Sequence, residues 1–383
     1  MSAGLILGLI TGLTYGLLAV GIVLIFKANR FINIAHAQLG TVSALVLGKL
    51  VLEEGWSWWL AFPAVIAVGV LVALAVERLV IQPMLRRRRP AISLLLVTIG
   101  VAQLLLAVTY LRGVGASNTA LYRNGYPVPL DTSIDVGAFV LRGQHIMILV
   151  LVPSVVTGLA LFLKLSVWGK KIRAAANNPE AAQLCGISVR RVSALAWGIA
   201  GGLSAVTAVL QAPSQGNSGA AALGPGLLLR ALGAAALGGF TSIPAALTGG
   251  LIIGEAEHLT LAWRHDAGDA ELVVLMTVIA ILFIRGRAIT QAAGASDSRP
   301  DEQGSPLRIP ASLRDRPLVR YAHPLLAGIS LLTAALVPVM PFFNTEAHRF
   351  ELVVTLVMAI SGVALTMLVG WAGQVSLGHF ALL

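Results

Sequence analysis

From Leu5 to Phe26 the chain runs without a charged side chain. Water-free hydrocarbon leaves such a run one low-energy solution, an α-helix, because only there does every peptide group find its partner within the segment, and about 20 residues cross the ~30 Å apolar core. Comparable runs return over 60–81, 91–111, 146–165, 192–211, 227–261 and 272–284. A chain of 383 residues that is 57% hydrophobic and 11% charged has too little polar surface to clothe a soluble globule. The fold predicted is therefore all-α, a polytopic transmembrane helical bundle. The first run has no charged stretch before it and no small-residue cleavage site after it, so it reads as a retained helix and not a signal peptide.

The formal net charge is +10, with Lys and Arg confined mainly to short loops and no basic patch interleaved with aromatics. That distribution orients a protein in the lipid bilayer and points to no nucleic-acid partner. Placing 27–30, 86–90, 164–191 and 285–320 inside puts the N-terminus outside and predicts about nine crossings before 285, provided the pieces around Gly238 each cross and neither is re-entrant. The single cysteine, Cys185, excludes an intrachain disulfide.

The most informative polar stretch is Trp168–Arg191, set between two apolar runs with Lys170, Lys171 and Arg173 at its start and Arg190 and Arg191 at its end. Asn178-Pro179-Glu180 reads as a helix start: a capping amide, a proline at the first helical position and an acid in the first turn. The helix is predicted over 179–185, with Gly186 as its stop. Held between two transmembrane helices, it can pass a push from a soluble partner into the membrane; a plain solvated loop is the other reading.

Gly4, Gly8, Gly12 and Gly16 recur every fourth residue and form a stripe on which another helix can pack closely. Asn33, His36 and Gln38 fall at membrane depth, where polar groups need a partner or face a cavity; for His36 an interhelical hydrogen bond and a solute contact both stand. Residues 112–144, with Tyr122, Tyr126, Pro127 and Pro129, suit an external cap where a solute-binding protein docks, or an ordinary surface loop. Gly238, Gly239 and Pro244 interrupt an apolar run, as where transporters place unwound backbone. Glu255 lies within an apolar run, whereas Glu257, His258 and the charges over 264–271 read as solvated. A cytoplasmic linker is expected from Arg285 to Arg320.

Several of these motifs carry a resemblance. The order of basic residues, Ala-rich helix, Asn177, Glu180-Ala181 and Gly186-Ile187 is similar to the loop by which permeases of ABC importers contact their ATPases, in particular those of branched-chain amino-acid importers. Ile32-Asn-Ile-Ala-His36 matches that family's Ile-Asn-x-Ala-His motif. Leu237-Gly-Gly-Phe-Thr-Ser-Ile-Pro-Ala245 is similar to its Leu-Gly-Gly-x-Gly-Ser-Ile-Pro-Gly signature, with Thr241 and Ala245 where glycines are usual. Gly370-Trp-Ala-Gly-Gln-Val-Ser-Leu-Gly-His379 resembles the opening motif of the second permease of such importers.

The resemblance implies a complete permease over 1–290, a flexible cytoplasmic linker over 291–317 and the beginning of a second permease domain over 318–383. An end inside an apolar segment leaves helix carbonyls unpaired, so a piece of a longer fused permease is expected, with a naturally shortened variant as the alternative. The implied ATPase-docking residues are Lys171, Arg173, Asn177, Glu180, Ala181 and Gly186. The implied translocation-pathway residues are Asn33, His36, Gln38, Gln374, Ser376 and His379. The implied function is inward movement of branched-chain amino acids or similar small polar solutes across the inner (plasma) membrane. Implied partners are separate ATPase subunits, an extracytoplasmic solute-binding protein and a second permease domain, in cis or as another chain. No Gly-x-x-x-x-Gly-Lys-Ser/Thr loop occurs, so no cofactor is expected on this chain and ATP is used by the partner subunits; Glu255 and His258, at i, i+3, have no third ligand on their face, and His36 and His379 no Cys or acid at ligand spacing, so neither a metal nor enzyme activity is expected. The alternative is an ion-coupled secondary transporter, for which intramembrane acids such as Glu77 and Glu255 give thin support.

Overall fold

A computed structural model describes residues 2–294, apart from 88, 112, 118–119, 122–124, 131, 137–138 and 215–222, together with scattered positions beyond them, chiefly 352–357. The chain divides into two compact units, Met1–Pro300 and Asp301–Leu383. In the second unit the described stretch 352–357 is helical.

The first unit is a helical bundle. Its helices are α1 (Ser2–Asn29), α2 (His36–Leu52), α3 (Trp58–Val76), a π-helical turn (Glu77–Ile81) leading into α4 (Gln82–Arg86), α5 (Ala91–Thr109), α6 (Gly143–Leu165), α7 (Val167–Asn177), α8 (Pro179–Leu184), α9 (Val189–Gln211), α10 (Leu223–Leu237), α11 (Ile243–Arg264) and α12 (Ala267–Gly294). Burial sorts the long apolar spans into two classes: 83% of the α1 and α9 windows is buried, against 28% for the span containing α3 and 22% for α6 and α12. The first pair is the axis of the bundle. The others turn Leu71, Val150, Leu161, Met276 and Phe283 outward, the surface that hydrocarbon covers.

The glycine stripe sets the central packing. Along α1, Gly4 faces Ala262 and His258, Gly8 faces Glu255, Gly12 faces Leu251 and Gly16 faces Leu247, so α1 and α11 are antiparallel. Gly250 and Gly254 of α11 answer by facing Gly16 and Gly12, so backbone meets backbone. Between apolar helices in lipid, attraction comes from such close van der Waals contact. Helix α10 lies antiparallel to α11, with Ala234 against Gly249 and Arg230 against Glu257. The interruption at Gly238–Ser242 is therefore a turn between two pieces of opposite direction. It packs Phe240 on Phe26, with ring centroids 5.3 Å apart, at the end of α1 that carries Lys27.

Three features depart from the sequence expectations. The run that resumes at Phe31 becomes helical only at His36. Arg30 takes a left-handed conformation, φ 59°, and turns the chain back along α1, bringing His36 beside Gly21. Eight residues separate Gly21 from Asn29, so α2 begins roughly 12 Å up from the end of α1. This unwound entry is possible because side chains serve its backbone: Asn33 Oδ1 accepts from the Ala35 amide at 3.0 Å, and Thr98 Oγ1 accepts from the Ile34 amide at 3.1 Å. The segment between α5 and α6 contains two short antiparallel strands, β1 (Ser133–Val136) and β2 (Phe139–Arg142), with Ser133 opposite Arg142. Finally, α12 continues past Arg285 to Gly294, where the linker was expected to begin, because Ala, Arg, Ile and Gln sustain a helix already under way.

The segment between α5 and α6 is tied onto the bundle. Lys49 Nζ donates to the Gly113 carbonyl at 2.7 Å, Glu53 accepts from the Ser117 amide at 2.5 Å, and the Tyr126 hydroxyl donates to the Ala44 carbonyl at 2.8 Å. The Ser117 hydrogen bonds, more than the neighbouring Lys49 charge, hold the exposed Glu53 carboxyl below the usual carboxylate range.

A Cβ at Gly12 would lie 2.7 Å from the Leu251 Cα, whereas one at Gly158 on α6 meets nothing within 4 Å. Gly12→Val is expected to destabilise the detergent-solubilised protein by about 2–3 kcal/mol, and Gly158→Ala to stabilise it by about 0.5 kcal/mol. Thermal unfolding followed by tryptophan fluorescence checks both; equal melting points for Gly12→Val and the unaltered chain would show that the stripe is not a contact.

Candidate functional site

On the face assigned to the cytoplasm, the segment after α6 is folded and capped at every junction. Ser166 Oγ accepts from the Gly169 amide at 2.8 Å and starts α7. Gly169, Ile172, Ala175 and Ala176 form the buried face of α7. Ile172 and Ala175 share an apolar cluster with Leu24 of α1 and with Val192 and Ala196 of α9. The Arg30 guanidinium, at the end of α1, donates to the Ala176 carbonyl. Asn178 Oδ1 then accepts from the Ala181 amide at 3.0 Å, with Pro179 in the first helical turn. Helix α8 stops where Gly186, φ +77°, allows the Ile187 amide to reach the Ala182 carbonyl and its own amide to reach that of Gln183, each at 2.9 Å. Ser188 caps α9 through the Arg191 amide at 3.4 Å.

A short helix clamped by its own caps and resting on Ala182 moves with its neighbours and not as a loose loop. Arg173, Asn177, Glu180, Ala181 and Gly186 are exposed; Lys171 is half-buried, its Nζ 4.7 Å from the centre of the Trp168 ring. Sequence reasoning missed Leu184, which is 91% exposed at the end of α8 beside the exposed Cys185. A leucine held in water at the tip of a rigid element offers an apolar anchor to a partner.

A second group lies inside the bundle. Asn33, His36 and Gln38 are all buried at the unwound start of α2. Ser204 of α9 receives this turn: its hydroxyl donates to the His36 carbonyl at 2.6 Å and accepts from the Gly40 amide at 2.9 Å. The His36 ring lies against Gly21 and the Gln38 amide against Gly224 of α10. Asn33 Nδ2, both ring nitrogens of His36 and Gln38 Oε1 make no well-formed hydrogen bond to the described residues, and the ring's backbone contact is with the Leu18 carbonyl. Buried polar atoms left in this state carry a desolvation cost that a polar guest or water can relieve. Gln374, Ser376 and His379 lie outside the described residues.

A third group corrects the reading of Glu257 as solvated. Its side chain is 13% exposed and forms a two-pronged ion pair with Arg230 of α10, Nη2 to Oε1 at 2.7 Å and Nε to Oε2 at 3.0 Å. The Tyr15 hydroxyl donates to Glu257 Oε2 at 2.8 Å, and Glu271, 60% exposed, lies 2.6 Å from Arg230 Nη2. The pair was foreseeable, since Arg230 stands in Leu227-Leu-Leu-Arg-Ala-Leu232 and a charge in such a run requires an opposite one. Its partner, 27 positions on, was not. Glu255 instead turns its carboxylate toward Gly8, with Oε2 unpartnered.

Comparison with known sequences adds an independent line. The family described as "Branched-chain amino acid transport system / permease component" matches residues 4–284. The permease protein BraD of Pseudomonas aeruginosa, of a high-affinity branched-chain amino acid transport system, is 30% identical over 305 residues, covering 74% of this chain and 94% of that protein. The corresponding LivH of Escherichia coli K12 is 29% identical over 298 residues, 73% of this chain and 94% of its own length. A probable LivH permease of Methanocaldococcus jannaschii is 26% identical over 271 residues. No solved structure matches the chain.

The Arg230 network generates a stability prediction. Arg230→Met leaves a buried carboxylate without its cation and is expected to cost about 3 kcal/mol, and adding Glu257→Gln, which still accepts from Tyr15, should recover more than half of that. Chemical unfolding of the two variants in detergent measures the difference; a double variant no more stable than the single one counts against the pairing.

Proposed function

The chain belongs to the branched-chain amino acid transport permease family, and from that premise we propose that residues 167–188 seat an ATPase whose movement opens and closes a solute path beside Asn33, His36 and Gln38. It is a multi-pass membrane protein, the permease subunit of an ABC importer, and works with ATPase subunits, a solute-binding protein and a second permease. ATP is bound and split on the partner subunits.

The proposed solute is a branched-chain amino acid or a similar small polar molecule, the class named for BraD and LivH. The observation that carries the docking assignment is the double capping of α8. Asn178 and Gly186 fix the helix at its two ends, Ala182 sinks toward α9, and Leu184 and Glu180 face water. In this reading Leu184 enters an apolar depression of the ATPase, while Arg173 and Glu180 set its register through exposed charges at the rim.

Inside the bundle, Asn33, His36 and Gln38 are proposed to meet the solute when the helices part. They offer donors and acceptors without a fixed net charge, which suits a zwitterion or a neutral amide. Gln374, Ser376 and His379 are proposed as the counterpart group of a second permease segment in cis. Ion coupling is not favoured, because Glu77, bonded to Gln82 and Ser193, and Glu255, facing Gly8, share no partner among the described residues and so form no relay, while Arg230 is neutralised by Glu257 and Glu271.

Docking is tested on the full chain in detergent with candidate ATPase subunits. Cys185 is the chain's only cysteine and is exposed next to Leu184, so its labelling by a maleimide reports on the contact. Bound ATPase is expected to slow that labelling about tenfold or more, Leu184→Asp to weaken binding by a similar factor, and Arg173→Ala with Glu180→Ala to weaken it at least about fivefold. A folded chain that binds none of the ATPases, or keeps its labelling rate when they are bound, defeats the assignment.

A further inference from the structure

We infer that Glu77 is a positioning residue that passes movement of the docking loop into the third transmembrane helix. The inference rests on the reading that residues 167–188 seat an ATPase. Glu77 is fully buried and opens the π-helical turn Glu77–Ile81, where α3 becomes α4. Its Oε1 accepts from Gln82 Nε2 at 2.6 Å and from the Ser193 hydroxyl of α9 at 2.9 Å. Ser193 Oγ in turn accepts from Asn29 Nδ2, at the end of α1, at 3.0 Å. A single carboxylate thus joins three helices.

Packing alone does not call for an acid here. The same faces of α3 and α9 already meet through Gly69, Gly201 and Ala205, and around Glu77 through Ala73, Ile81, Trp197 and Ala200. No cation pairs with Glu77 among the described residues, and its Oε2 has no partner. Burying a carboxylate in this way costs stability that an apolar side chain of similar volume would not.

The position accounts for it. Arg30, next to Asn29, donates to the Ala176 carbonyl of α7, and α7 also packs on α9 close to Ser193 through Ile172 and Val192. A displacement of α7 and α8 therefore acts on both Asn29 and Ser193, and Glu77 receives it through Ser193. The π-helical turn is the compliant part. One turn with i→i+5 hydrogen bonds holds an extra residue, and its loss or shift changes the rotation of everything beyond it, here α4 with Arg86 and Arg87. In this inference the two-state element is the exchange of the π register seen at Glu77–Ile81 for an α-helical one.

The test uses vesicles holding the wild-type chain with its ATPase subunits, second permease and solute-binding protein. It records solute taken up per ATP hydrolysed together with the protection of Cys185. Ser193→Ala and Glu77→Leu are expected to keep both Cys185 protection and ATP turnover within about twofold of wild type while uptake per ATP falls about fivefold or more. Glu77→Gln, which retains the acceptor facing Gln82 and Ser193, should restore the wild-type ratio. If Glu77→Leu fails to assemble, Ser193→Ala set against Glu77→Gln decides the matter. A wild-type ratio in Ser193→Ala and Glu77→Leu, or a parallel loss of uptake and hydrolysis, makes Glu77 a packing residue and overturns the inference. Absence of Cys185 protection in the wild-type complex overturns the docking assignment instead, and the inference with it.

Discussion

The bundle depends on the contact between α1 and α11, in which glycines on one helix lie against backbone of the other. In lipid, apolar side chains gain nothing by leaving one hydrocarbon for another, so association relies on the closeness of approach. Four glycines one turn apart on α1, answered by Gly250 and Gly254, give that closeness over the first half of α1 and most of α11. With α11 pinned, α10 and α12 follow as its neighbours, and Arg230, Glu257 and Tyr15 fasten α10 and α11 to the middle of α1. On its other side α1 meets α9 through polar groups as well, Thr14 with Gln211 and Asn29 with Ser193.

The polar groups at the start of α2 are arranged unequally. The unwound entry to α2 is stabilised where it must hold, through Thr98, Ser204 and the side chain of Asn33. It is left unmatched where side chains of Asn33, His36 and Gln38 meet only apolar or backbone surface. Within one turn of chain the Ile34 and Ala35 amides are paired, while Asn33 Nδ2, the His36 ring nitrogens and Gln38 Oε1 lack a well-formed partner among the described residues. A transport path needs such a division, because a binding group already satisfied by the protein has little to offer a passing solute.

Much of this was legible in the sequence, and for local reasons. Asn178-Pro179-Glu180 and Gly186 specify a helix start and stop without reference to anything distant, and α8 lies within one residue of the expected span. The i, i+4 glycines announced a packing face, and the apolar runs announced the spans. Other features left no local trace. Leu184 is an ordinary helical leucine until neighbouring Ala182 is seen to take the buried side. Glu257 sits about two turns from the end of an apolar helix, in a position as suitable for water as for an ion pair, and only the placement of Arg230 decides between them. The strand pair within 133–142 was absent from the reading because a stretch rich in turn residues gave no pattern longer than its four-residue strands.

The sequence by itself therefore determined that the chain crosses a membrane as helices, which loops carry the positive charge, where α8 begins and ends, and to which family the chain belongs. Each of these follows from the chemistry of neighbouring residues, since a helix satisfies its own backbone and a cap acts within one turn. Tertiary structure decided the depth at which α2 starts, the partner of Arg230 and the union of Asn29, Glu77 and Ser193. These depend on groups far apart in the chain, 164 positions for Asn29 and Ser193 and 168 for His36 and Ser204. Such pairs form because a buried polar atom must take whatever partner the packing of helices brings within about 3 Å.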